Sequence, residues 1–300
     1  MSGGSTSGSG APLGANAETK ADPSGSKRFR LVDAHVHVFP PEMRRDREAF
    51  LSKDARFRAL YADPRARMAS VEEVLTHMDE AGISQSVLVG FPFADLGLCR
   101  LLNDYLIDAV HAHPGRLAGL ACVPPAAPGA AAELERCLDA GLCGCGEAAP
   151  EGLDEGLVVL AGVLRERGAP LLVHASEPVG HRYPGKGGFT PGLCLALAEA
   201  CSGTTMIFAH LGGGLFLYEL MPEVRQALVN VFYDTAAAPY LYEAKVYAVA
   251  AACAGAEKLL FATDYPLLRA ERYREGLSQL EPTLRKAVEG DNARRVYKLA

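Results

Sequence analysis

The chain has 300 residues, 49% of them hydrophobic, and a net charge of −6 from 30 Lys and Arg against 36 Asp and Glu. That length and apolar share suit one large α/β domain with a sizeable core. Both signs of charge are spread along the sequence, which excludes the basic stripe of a nucleic-acid binder, and no apolar run reaches the roughly 18 residues of a membrane span.

Residues 1–27 are rich in Gly, Ser and Ala and lack the apolar centre of a signal peptide. They read as a disordered tail ahead of a single domain over 28–300, with the cytoplasm as the expected location. The eight cysteines form no CxxC pair. Reduced, partly buried thiols are expected.

From Arg30 onward short, nearly continuous apolar runs alternate with helical patterns. The candidate strands are Arg30–Asp33, Ser86–Val89, Leu117–Val123, Leu142–Gly146, Pro170–Val173, Thr205–Ala209, Asn230–Tyr233 and Leu259–Ala262. Such runs are what parallel strands covered by helices need. The candidate helices are Val71–Ala81, Leu98–Ala112, Ala130–Ala140, Leu153–Arg167, Gly192–Cys201 and Ala244–Ala254, and the segment after Leu267 is mostly helical with breaks near Pro282 and Gly290. Ser70 with Glu73 forms a capping box, and Gly82, Gly141, Gly168 and Gly255 stand where helices stop.

Eight strand–helix repeats fit a closed TIM (β/α)8 barrel or an open doubly wound sheet. No GxGxxG or Walker-type loop follows an early strand, and the barrel is the expected fold. Residues 39–70 make a long Arg- and Asp-rich excursion after the first strand, which a barrel would place at its C-terminal rim, where active sites form.

The chemistry lies at strand ends. Asp33-Ala34-His35-Val36-His37 puts two imidazoles two residues apart, on one side of an extended segment. Alone, that spacing fits a pair of hydrogen-bonded structural histidines equally well. Three further apolar runs end in His174, His210 and Asp264, and a barrel brings all these ends to one mouth. Four histidines and a carboxylate around one pocket suit a divalent metal, whereas the same groups buried without a task would be costly. Glu147 closes the fourth candidate strand; it is either part of this pocket or a rim carboxylate paired with an arginine. His77 is expected at a helix surface or an interface, and His111 and His113 at a helix C-terminus.

These motifs resemble a known family. Asp-Ala-His-Val-His at 33–37, His174, Phe-Ala-His-Leu-Gly-Gly-Gly at 208–214, Ala-Thr-Asp-Tyr-Pro at 262–266 and Gly-Asp-Asn-Ala-Arg-Arg-Val-Tyr at 290–297 are similar to the amidohydrolase superfamily, in its amidohydrolase-related branch, family 2. The resemblance runs from about residue 30 to the end. It implies that His35, His37 and Asp264 bind a first metal, that His174 is also a ligand, and that His210 binds a second metal or acts on substrate. It gives Asp264 the further role of accepting a proton from the attacking water. Members with two metals place a bridging carboxylate or carbamylated lysine where Glu147 stands, and the Gly-Glu pair is also similar to TatD-like metal-dependent nucleases. Decarboxylase members of the branch generally lack this Glu. Zinc is the expected ion, with manganese as the alternative, at one or two ions per chain. Thr263 and Tyr265 are candidates for orienting Asp264.

The expected activity is metal-dependent hydrolysis of an amide, ester, lactone or related bond in a small molecule by an activated water. Non-oxidative decarboxylation of an aromatic or unsaturated acid is the alternative, and a non-catalytic binding protein is a third reading. The glycine-rich cationic loop 176–188 supplies His181, Arg182 and Lys186 as candidate contacts for an anionic substrate group, unless it is merely a solvated loop. Gly212-Gly213-Gly214 permits close backbone approach beside His210. Dimers are common among similar proteins, which makes a homodimer one candidate assembly, with the oligomeric state itself not legible in the sequence.

Overall fold

Apolar runs with both faces hydrophobic can be satisfied only between two layers, and eight of them close on one another here. The computed structural model describes Met1, residues 31–180 and residues 182–300. The expected tail over 1–27, the Arg30 start of the first strand and His181 lie outside the described residues. The strands are β1 (Leu31–His37), β2 (Ile83–Val89), β3 (Leu117–Ala121), β4 (Gly144–Ala148), β5 (Leu171–Val173), β6 (Met206–Phe208), β7 (Val231–Asp234) and β8 (Leu259–Leu260). They pair in parallel in sequence order. The backbone after β8 closes the barrel onto β1: Ala34 N–H donates to Phe261 O, Asp264 N–H to His35 O and His37 N–H to Tyr265 O, at 2.9, 3.0 and 2.7 Å.

The first strand carries three short helices in its long excursion, α1 (Pro41–Arg45), α2 (Arg47–Leu51) and α3 (Ala55–Tyr61). The main crossovers are α4 (Val71–Ala81), α5 (Leu96–Ala112), α6 (Ala130–Asp139), α7 (Glu155–Arg167) and α8 (Pro191–Ala200). Their boundaries follow the caps. Ser70 and Glu73 form the expected capping box on α4, and Gly82 ends it in the left-handed conformation. Asp95 and Asp154 accept from Leu98 N and Leu157 N and fix the starts of α5 and α7. His111 lies in the last turn of α5 and His113 is its C-cap. No helix among the described residues is long and apolar enough to cross a membrane. All eight cysteines are free; Cys143 is partly exposed and the others are buried.

Three apolar clusters hold the fold. Val32, Ala34, Val87, Leu120, Leu172, Ile207 and Leu260 fill the barrel, and a larger cluster lies between strands and helices. The third, with Phe39, Phe57, Phe91 and Phe93, packs the 39–70 excursion onto the rim beside β2. One expectation fails here. His77 is buried, not at a surface, because it shares the inward face of α4 with Val74 and Met78 and stacks on Tyr265 at 4.4 Å, nearly coplanar at 6°.

Two local irregularities aim the polar residues. The register of β1 on β2 slips between Asp33 and Val36. Val32 and Ala34 therefore belong to the interior cluster while Val36 belongs to the outer one, and the slip turns His35 and His37 inward. The register of β4 on β5 slips between Cys145 and Ala148, around Gly146 at φ +147°. A Cβ on Gly146 would sit 2.6 Å from Leu172 Cβ and 2.7 Å from Leu172 O, too close for any side chain. Gly146→Ala is expected to destabilise the fold by at least about 2 kcal/mol, through overpacking and a disfavoured backbone. Chemical denaturation, with metal content measured on the same sample, checks it; an unchanged midpoint would refute the steric argument.

Candidate metal centre

Six side chains converge at the C-terminal mouth of the barrel. His35 and His37 come from β1, Glu147 from β4, His174 and His210 from just past β5 and β6, and Asp264 from the turn after β8. They form two triads, His35 with His37 and Asp264, and Glu147 with His174 and His210; within each, the ligand atoms lie within 4.8 Å of one another. Glu147 joins them. Its Oε1 lies 2.9 Å from His174 Nδ1 and 3.4 Å from His210 Nε2. Its Oε2 lies 3.7 Å from His37 Nε2 and 3.9 Å from His35 Nε2. Among the described residues it has no arginine partner and is paired instead with histidines, against the rim ion-pair reading of Glu147.

The strand-end pattern extends to a residue the sequence reading passed over. Asp234 ends β7, one residue beyond the candidate strand, and is fully buried. Its Oδ2 lies 2.8 Å from His35 Nδ1, and its Oδ1 accepts from His210 N at 2.9 Å and Ala236 N at 3.1 Å. Asp33 is a second such carboxylate: it accepts from Thr263 N and Thr263 Oγ1, at 2.9 and 2.6 Å. Thr263 thus braces the backbone beside Asp264, and its Oγ1 also accepts from Tyr265 N at 3.0 Å. Asp264 and His210 both stand in the left-handed region, at φ 59° and 58°. Such a backbone costs a non-glycine residue about 1–2 kcal/mol, and the Asp234 contact to His210 N helps to offset it. Gly213 lets the turn after His210 press against Ser176, whose carbonyl a Cβ would approach to 2.6 Å.

The donor set fits a cation. Asp234 receives the Nδ1 proton of His35, and Ala236 O receives that of His210 at 2.9 Å. In the neutral rings both Nε2 lone pairs then face the pocket, the arrangement that orients a histidine ligand. His35 Nε2 and His37 Nε2 face each other at 3.0 Å, and His210 Nε2 and His174 Nδ1 at 3.1 Å. Two pairs of inward imidazole nitrogens with two carboxylates among them are ligands of zinc or manganese type. Without a cation they share protons. Burial opposes charge on His35, yet Asp234 holds its pKa up to about 9; Glu147 likewise overcomes burial at His210 and holds it up to about 10. Burial also opposes charge on the carboxyls, but His37 and His35 hold Asp264 down to about 2, and His174 holds Glu147 well below the usual carboxylate range.

The pocket is reached from one side. His35 is fully buried, while the side chains of His37, Asp264 and His174 keep 12%, 13% and 16% of their surface. The 176–188 loop folds over that side: Gly187 N donates to Ser176 Oγ at 3.0 Å, and Gly187 lies against the His174 ring. Within the loop Lys186 is engaged by Glu177 at 3.3 Å and by Val179 O at 2.6 Å, whereas Arg182 is exposed. His181, the loop's remaining candidate contact, is outside the described residues.

A family model described as Amidohydrolase, family 2, matches residues 32–299. The fold is similar to that of 5-carboxyvanillate decarboxylase LigW from Sphingomonas paucimobilis, at 18% identity and a TM-score of 0.74, covering 91% of this chain and 100% of that one. It is also similar to 2,6-dihydroxybenzoate decarboxylase from Rhizobium, at 18% identity and a TM-score of 0.66, covering 90% and 99%. A dihydroxybenzoic acid decarboxylase from Polaromonas, solved with manganese and the inhibitor 2-nitroresorcinol, matches at 19% identity and a TM-score of 0.66, covering 90% and 97%.

Asp234→Ala is expected to weaken manganese or zinc binding about 10- to 100-fold by releasing His35, as measured by titration calorimetry. Protons on His35 and His210 compete with metal below their raised pKa values. Metal loading near pH 8 should therefore release protons, and apparent affinity should climb as pH rises toward 9–10. A heat of binding that does not vary with buffer ionisation enthalpy would refute this.

Proposed function

The chain belongs to the amidohydrolase family 2, and from that premise we propose that it is a metal-dependent hydrolase that cleaves an amide, ester, lactone or related bond in a small molecule. One observation carries the reading: Glu147 turns one carboxylate oxygen toward each triad. Six donors exceed what one tetrahedral ion takes, and a carboxylate set between two triads suits two ions side by side. His35, His37 and Asp264 would hold the first ion, and His174 and His210 the second, with Glu147 between them. Divalent ions there would polarise the scissile carbonyl and lower the pKa of water toward neutrality.

The protein's own groups do the rest. Asp264 is ionised at neutral pH and stands on the open side of the pocket, where it accepts the proton of the attacking water and passes it to the leaving group. Asp234 holds His35 in one tautomer and braces the His210 backbone. Exposed Arg182 is the rim cation best suited to an anionic substrate group, because Glu177 already engages Lys186.

The similar solved structures favour a second reading. The three with stated activities described above are decarboxylases, one of them with manganese. A carboxy-lyase would use a single ion on His35, His37, His174 and Asp264, leaving His210 to protonate the carbon from which CO2 departs. Metal stoichiometry and products separate the two. The hydrolase reading expects two ions per chain after chelation and reloading with manganese or zinc, and turnover within an ester, lactone and amide panel. It also expects Glu147→Gln to bind one ion fewer and to lose at least about 100-fold in kcat/KM, roughly 2.7 kcal/mol. One ion per chain with CO2 release from an aromatic acid would replace it by the second reading.

A further inference from the structure

The 39–70 excursion places on the rim of the barrel mouth a polar group, Tyr61, that the proposed chemistry does not use. Tyr61 closes α3, and its ring stacks on Phe57 at 4.8 Å and meets Phe39 at 5.1 Å and Phe91 at 5.8 Å. Those three neighbours are buried, whereas Tyr61 is half-buried, so it forms the open edge of an aromatic shelf. Phe39 stands two residues beyond His37 and Phe91 two beyond β2, which places the shelf on the rim of the barrel mouth. The Tyr61 hydroxyl makes no hydrogen bond among the described residues. Burial and the nearby carboxylates of Asp264 and Glu147 push its pKa up, keeping the phenol protonated and able to donate.

The shelf is held in place on three sides. Asp54 accepts from Phe57 N and from Ala94 N, at 2.8 and 3.0 Å. Arg56 reaches Ala149 O at 2.5 Å and Glu151 at 2.7 Å, just past β4. Gly185 packs on Leu60, so the loop that covers His174 also lands beside Tyr61. An unbonded donor on a fixed aromatic edge at the rim of a metal pocket lacks one thing, an acceptor brought by a ligand.

We propose that Tyr61 is a substrate-contacting residue, its ring edge taking a flat apolar group and its hydroxyl donating to an oxygen on that group. This rests on the mouth of the barrel being the substrate site but holds for either reaction there. Binding of 2-nitroresorcinol, a flat ring bearing oxygens, to the manganese-loaded protein tests it by calorimetry without turnover. Tyr61→Phe keeps the ring and removes the donor. It should raise the Kd about 10-fold, and Tyr61→Ala should raise it further, with manganese content and melting temperature of the Phe variant unchanged. Equal affinity in wild type and Tyr61→Phe, or no binding by wild type, would overturn the inference. One ion per chain with CO2 release would instead overturn the hydrolase reading and leave a Tyr61-dependent Kd intact.

Discussion

Glu147 stands among four imidazoles, and most of the architecture at the barrel mouth serves that placement. A buried carboxylate is costly unless charge or hydrogen bonds compensate it, and here His174, His210, His35 and His37 surround it within 4 Å. The same field works in reverse on the rings, holding protons on His35 and His210 far above the ordinary imidazole value. A pocket that binds protons so firmly is electrostatically prepared for divalent cations, which replace several protons at once.

The surrounding backbone is arranged to make that cluster possible. Gly146 sets β4 against Leu172 so closely that no side chain fits, and Glu147 follows from it. His210 and Asp264 take left-handed conformations, and Asp234 and Asp33 brace the segments that carry them. Asp234 has a double role, fixing the His35 tautomer and holding the His210 backbone, so a single buried carboxylate couples the two triads. Local strain at such positions is what a site held in one geometry by its surroundings is expected to show.

The similar solved structures and the donor geometry point in partly different directions, for a physical reason. Barrel topology is conserved across many chemistries, because reactions depend on loops and on side chains at strand ends and not on the barrel itself. Similar solved structures at 17–20% identity therefore establish the fold. What distinguishes one reaction from another here is how many ions the mouth holds and what borders the open side. The excursion over 39–70 borders that side with aromatic rings, while the loop after His174 covers the rest.

The sequence by itself determined the eight strand–helix repeats, the capped helix boundaries and the polar residues that stop five of the strands. Those features are encoded locally, in apolar runs, caps and the polar residue that stops each run. The same rule applied one residue further would have found Asp234, which ends β7. Only the tertiary structure decided the rest. It closed β8 onto β1, slipped the register so that His35 and His37 face inward, and gave Glu147 one oxygen for each triad. It buried His77 against Tyr265, tied Lys186 to Glu177 and packed Tyr61 against Phe39 and Phe91 on the rim. Several of these depend on residues about 200 positions or more apart in the chain, so no local pattern could record them; His35 and Asp234, 199 residues apart and 2.8 Å from contact atom to contact atom, are the clearest instance.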